Sequence, residues 1–270
     1  MRLQGKGRSA GAGGGATVGG VTLTEIDTTT ETTARASHAD RVSAADWTLA
    51  EAALDADGFA VLPGILRASE CRALVSLYDH DAHFRSRVVM GRHGYGSGEY
   101  RYFGYPLPDA VAELRTALYA RLAPIANRWN EHMGIEVAYP AEHQHWLEQC
   151  HDAGQTRPTP LLLRYGPGDY NRLHQDLYGE LVFPLQVAIL LTQPGEDFDG
   201  GELVLTEQRP RMQSRPMVVP LRRGDAVAFA VRQRPERGAR GFHRVTMRHG
   251  VSRLHCGSRY TLGIIFHDAT

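Results

Sequence analysis

The chain has 270 residues, 42% of them apolar and 22% charged, with 30 basic side chains balanced by 30 acidic ones. That length can bury a core without staples, and no apolar run approaches the roughly 18 residues of a membrane span. Cys71, Cys150 and Cys256 are too few and too scattered for a disulfide framework or a zinc ribbon. With no apolar segment after the basic start, they point to the cytoplasm.

Residues 1–42 carry a glycine run and a threonine-rich stretch with almost no large apolar side chains. Such a segment cannot offset its ordering entropy, so it reads as a disordered tail ahead of one domain, 43–270. Ser43 and Asp46 have capping-box spacing, and Trp47, Leu49, Ala53 and Leu54 form a helical stripe that Asp57-Gly58 closes. Residues 59–62 read as a short strand. Ser69 is expected to cap a second helix bearing Cys71, Leu74, Val75 and Tyr78. Glycine-rich 91–98, ringed by Tyr95, Tyr100, Tyr102, Phe103 and Tyr105, reads as a strand with inward aromatics or as a mobile lid facing a base. A third helix starts near Asp109, with Val111, Leu114, Leu118, Leu122, Ile125 and Trp129 on one face. Pro124 predicts a kink or restart within it. His143, His145, Cys150 and His151 lack a third partner at ligand spacing and read as loop residues.

From residue 160 the texture changes. Short apolar segments at 161–165, 185–191, 202–205, 217–221, 226–231 and 260–266 alternate with Gly, Pro, Asp and Asn turns. Many short strands at near-regular spacing predict a sandwich or barrel. The fold class is mainly β with flanking helices: a jelly-roll core over 160–270, supported by helices and a lid over 43–159. Gly200-Gly201 reads as a tight strand turn. Between Arg209 and Arg253 there are 12 arginines against two acids. Such clustering focuses positive potential, so 209–253 is a candidate nucleic-acid surface, although its arginines can equally pair with acids or brace long loops.

His174 and Asp176 follow the 161–165 strand, and on an extended chain residues two apart face one side. An imidazole and a carboxylate there supply two of the three ligands of a non-haem Fe(II) facial triad, which leaves positions open for cosubstrate and oxygen. His243, His249, His255 and His267 are candidates for the third. His249 is favoured, because Arg259 lies ten residues downstream, where it can grip a carboxylate with two hydrogen bonds. His267-Asp268 reads as a capping or surface pair at the end of the last strand, and the 80–83 histidines as a solvated helix end.

These stretches, with 164–170, 199–203 and 224–229, resemble the Fe(II)/2-oxoglutarate-dependent dioxygenase superfamily. Within it the resemblance is to the prolyl-hydroxylase-like and AlkB-like branch, closest to a bacterial group named for oxidative repair of alkylated DNA. It covers roughly 57–268 and implies a double-stranded β-helix. It also implies that His174, Asp176 and His249 bind Fe(II), that Arg259 binds the far carboxylate of 2-oxoglutarate, and that Tyr165 places its hydroxyl near that cosubstrate. The implied reaction consumes O2 and 2-oxoglutarate, releases succinate and CO2, and hydroxylates a substrate. Oxidative demethylation of alkylated nucleic acid is one such activity; hydroxylation of a protein or amino acid, prolyl-type, is the alternative. A non-catalytic nucleic-acid-binding module is the third reading. The sequence departs from the branch at 187–191, where a second tyrosine is often found and Val187-Ala188-Ile189-Leu190-Leu191 stands here.

Overall fold

The computed structural model describes residues 36–270. Most of the expected tail, residues 1–35, lies outside the described residues. Its expected boundary at residue 42 is corrected. A first helix, α1 (His38–Ala44), is already formed there, because Ser37 and Asp40 make a reciprocal capping box ahead of the one expected at Ser43. Asp46 itself caps α2 (Trp47–Asp57) by accepting the Leu49 N–H at 2.9 Å. Gly58, at φ 77°, ends that helix in the left-handed region. Strand β1 (Phe59–Leu62) follows where expected. Helix α3 (Ala68–Ser76) includes Ser69 rather than being capped by it; Glu70 accepts the Arg67 N–H at 2.7 Å instead.

The glycine-rich segment is mostly turn, with only Gly96 and Ser97 in a strand; Tyr102 and Phe103 after it in the chain, not Tyr95, follow the strand alternative. Strands β2 (Phe84–Val89), β3 (Gly96–Ser97) and β4 (Glu99–Phe103) bracket it, with Tyr102 and Phe103 buried. Helix α4 (Asp109–Met133) runs through Pro124 without restarting. Its buried face, from Val111 to Trp129, outweighs one lost backbone hydrogen bond. Each fully buried leucine or isoleucine there contributes roughly 1.5–3 kcal/mol. Helix α5 (His143–Asp152) overturns the loop reading of His143, His145, Cys150 and His151: His143, Trp146 and Cys150, at helical spacing, are its buried face.

The remaining strands are β5 (Leu161–Tyr165), β6 (Tyr170–His174), β7 (Leu185–Leu190), β8 (Phe198–Gly200), β9 (Leu203–Gln208) and β10 (Arg215–Val219). After them come β11 (Ala226–Ala230), β12 (Gln233–Gly238), β13 (Gly241–Val251), β14 (Leu254–Gly257) and β15 (Arg259–Ile264). They form a seven-stranded sheet, β1-β11-β7-β15-β5-β4-β2, and a six-stranded sheet, β10-β9-β13-β6-β3 with β12 beside β13. A small β14-β8 pair closes one corner. The strand pairs are antiparallel, and the architecture is a double-stranded β-helix with flanking helices. Two registers position the site. His249 faces His174 across β13 and β6, while Arg259 faces Tyr165 across β15 and β5.

Candidate active site

His174 closes β6 and Asp176 follows it. At that point β6 carries a bulge: Arg172 and Leu173 together oppose the single residue Gly250 of β13. A bulge re-aims the side chains beside it, and Gly250 is what lets it form. A Cβ at that glycine would stand 2.7 Å from the Asn171 carbonyl oxygen. His174 and His249 then meet at 4.2 Å between ring centroids. Asp176 Oδ1 lies 3.4 Å from His174 Nε2, and Oδ2 lies 3.3 Å from His249 Nε2. One ligand atom from each residue lies within 4.8 Å of the other two, and this is the one such cluster among the described residues.

The neighbours fix the chemical state of each ligand. His174 Nδ1 donates to the Arg172 carbonyl at 2.7 Å, which fixes the ring with Nε2 turned toward Asp176. Burial raises the Asp176 pKa, but the two imidazoles outweigh it and hold the carboxyl well below its usual range. The carboxylate stays ionised. His174 shows the converse balance: burial lowers its proton affinity, and the hydrogen bond to Asp176 more than restores it. Burial, seconded by the charge of His174, depresses His249 and favours its neutral, ligating form. Two imidazoles and one carboxylate suit Fe(II) and leave positions open for cosubstrate and oxygen.

Arg259 and Tyr165 line the same cavity, about 270 Å³ between the sheets. Arg259 is 3% exposed and donates to Thr261 Oγ1 at 2.6 Å, while its Nε has no partner. No carboxylate pairs with it among the described residues. A desolvated guanidinium without a counter-charge is costly, and a carboxylate entering the cavity relieves that cost with a bidentate match. The donor set therefore fits the far end of 2-oxoglutarate. Gly201, at φ 64°, makes room for Arg259: a Cβ there would come within 3.0 Å of its Cδ. The Gly200-Gly201 pair thus works as a strand turn that also clears space. Tyr165 is fully buried with its hydroxyl unpartnered, and burial drives its pKa up, so it remains a neutral donor. The Arg259 Cζ sits 5.6 Å from its ring centroid.

The other histidines stand elsewhere. His243 pairs with Glu236 at 2.9 Å, and His255 is exposed 3.5 Å from Asp199. The surface reading of His267-Asp268 is wrong, for both are fully buried. Asp268 anchors Arg115, His151 and Tyr105, each at 2.8 Å, so the last strand's end is locked under the helices. Three neighbours of the cluster were not foreseen. Tyr178 donates to Asp176 Oδ1 at 2.8 Å, Gln186 to Oδ2 at 2.9 Å, and the Phe229 ring packs 4.8 Å from His249. Two carried a signal: Tyr178 shares the two-residue period of His174 and Asp176, and Gln186 is a lone polar residue inside an apolar run.

The arginine-rich segment is strand rather than long loop. Acids outside the segment consume some of its charges, as Glu207 holds buried Arg234 at 2.7 Å and Asp57 holds Arg215 at 3.0 Å, and its own Glu236 holds Arg209. Arg211, Arg222, Arg232, Arg237, Arg240, Arg244, Arg248 and Arg253 remain exposed.

A family described as an oxygenase catalysing oxidative methylation of damaged DNA matches residues 98–269, more than half of the chain. Two uncharacterized proteins of Mycobacterium tuberculosis, Rv2227 and MT2286, are each 50% identical over 167 residues, covering 62% of this chain and 72% of theirs. Among solved structures, a Pseudomonas putida prolyl-4-hydroxylase is similar at 16% identity and TM-score 0.47, over 80% of this chain and 96% of that one. A 2OG-Fe(II) oxygenase-family oxidoreductase from Burkholderia pseudomallei is similar at 18% identity and TM-score 0.48, over 83% and 93%. The structure of OsALKBH1 is similar at 12% identity and TM-score 0.40, over 77% and 97%. The chain belongs to this oxygenase family and is a 2-oxoglutarate/Fe(II) dioxygenase whose His174, Asp176 and His249 stand close enough together to hold a metal ion.

Proposed function

We propose that the protein hydroxylates an alkyl group on a nucleic-acid base, with His174, Asp176 and His249 holding Fe(II) and Arg259 holding the far carboxylate of 2-oxoglutarate. The observation that carries this reading is the meeting, in one cavity, of three convergent ligand atoms and a buried guanidinium without a counter-charge. Fe(II) bound there supplies oxygen activation coupled to decarboxylation of 2-oxoglutarate to succinate and CO2. The chain's own groups orient and exclude. Asp176 contributes the one negative charge, Arg172 sets the His174 tautomer, and Tyr165 donates its hydroxyl beside Arg259. Leu163, Leu177 and Ile265 keep the cavity wall apolar. For an N-methyl substrate, one oxygen atom enters succinate and the other the methyl carbon, and the resulting carbinolamine loses formaldehyde to leave the N–H.

Support for a base comes from the family's description and from the cavity mouth. Tyr95 is 50% exposed, lines the cavity and stacks on His93 with centroids 5.3 Å apart. Such a pair offers an aromatic face to an unstacked base. The exposed arginines of 209–253 supply charge for a phosphate backbone, which makes binding fall steeply with salt. The test is succinate release with single-stranded DNA carrying N-methylated bases, run beside a proline-containing peptide and free amino acids. Methylated DNA is expected to stimulate turnover several-fold and to yield formaldehyde in step with succinate. Stimulation by peptide or amino acid, with none by methylated DNA, would assign the substrate to the prolyl-type alternative. No turnover under any condition would leave a binding module.

A further inference from the structure

Gln186 is the one polar residue of β7 and is 5% exposed. Its Nε2 lies 2.9 Å from Asp176 Oδ2 and 3.2 Å from His249 Nε2. A carboxylate oxygen only accepts, so the amide nitrogen faces Asp176 and the carbonyl oxygen faces away; the same nitrogen reaches His249 Nε2 when that ring carries its proton on Nδ1. That Oε1 is buried and has no partner, on a residue that lines the cavity. From the other side, Tyr178 occupies Asp176 Oδ1 at 2.8 Å. The carboxylate is therefore gripped at both oxygens by donors from two different segments.

We propose that Gln186 is a positioning residue of the metal centre: its amide bridges Asp176 and His249 and holds these two ligands in register before an ion arrives. This rests on the reading of His174, Asp176 and His249 as metal ligands. His249 Nε2 has a single lone pair, which cannot serve both an N–H donor and a metal. A metal held by His249 Nε2 would take that lone pair and leave the Gln186 amide on Asp176 Oδ2, where it would go on orienting the carboxylate. A space-filling residue in an apolar strand needs none of this, and Leu, Val or Met would fill the position as well.

The test is an anaerobic Co(II) titration of the full chain, read by affinity and by ligand-field absorption, for wild type, Gln186→Met and Gln186→Glu. Melting curves and near-ultraviolet circular dichroism report the fold of each. Gln186→Met keeps the length and removes the donor, and is expected to weaken Co(II) binding about 10–100-fold, the usual cost of losing a partner behind a metal ligand. Gln186→Glu places a second carboxylate beside Asp176, and is expected to alter the Co(II) absorption even if the Met variant proves unstable. Wild-type affinity and an unchanged spectrum in both variants would overturn the positioning role while leaving the metal centre intact. A folded wild type that binds no Co(II) is a different outcome, which removes the metal-centre reading and this proposal with it.

Discussion

His143 and His267 couple the fold to pH without touching a ligand atom. His143 Nε2 lies 2.9 Å from the Phe266 carbonyl, and burial, with the charge of Arg115, pushes its pKa down to about 3. His267 accepts the Phe183 N–H at 3.2 Å, and burial pushes its pKa to about 4. Unfolded, both titrate near 6.5. Between pH 6.5 and 4 the unfolded chain therefore binds up to two more protons at these sites than the folded one. Their contribution is fully present above pH 6.5 and is lost as pH falls. His174, whose proton affinity is raised in the fold, works in the opposite sense. Urea unfolding of the metal-free protein is expected to lose stability from pH 6.5 to 4.5, with a slope of at most roughly 2.7 kcal/mol per pH unit. His143→Gln should remove about half of it. Equal stability at pH 6.5 and 4.5 would show that the two imidazoles are not held neutral.

At the scale of elements, the bulge in β6 does the aiming, and Gly250 is its counterpart on β13. A side chain there meets backbone, which cannot swing aside as a flexible side chain can. Gly250→Ala is expected to cost about 1–3 kcal/mol, as overpacking does, and to weaken metal binding as well, because His174 lies just beyond the displaced strand. A urea melt and a Co(II) titration check the two effects; unchanged values in both would mean that β6 is aimed by something else. The sequence made β5, β7, β11 and β15 readable because each is a short apolar run between turn residues. It concealed β12 and β13: β12 buries Arg234 and Pro235 rather than an apolar run, and β13 buries Val245 and Met247 among polar neighbours. Helix α5 was hidden for a related reason: its buried stripe is His143, Trp146 and Cys150, two of which count as ligands before they count as core. The bulge left no mark in residue type beyond one glycine.

Across the whole molecule, the six-stranded sheet contributes His174 and His249 and the seven-stranded sheet contributes Arg259 and Tyr165, so the cavity exists only where the two sheets face each other. His174, Asp176, His249 and Arg259 were legible because their spacing follows the strand period and the jelly-roll order. Gln186 and Tyr178 were less so, since their importance depends on which carboxylate oxygen they reach across the fold. The arginine surplus of 209–253 is smaller in three dimensions than along the chain, because Asp57, Asp197 and Glu207 reach into it from other elements. Among the described residues no helix is long and apolar enough to cross a membrane. The most direct measurement of the central claim is anaerobic addition of Fe(II) and 2-oxoglutarate to the purified protein, with His249→Ala, His255→Ala and Arg259→Ala beside it. The account predicts a visible metal-to-ketoacid charge-transfer band that is lost with His249, kept without His255, and reached only at much higher 2-oxoglutarate without Arg259. A well-folded wild type that develops no band would contradict it.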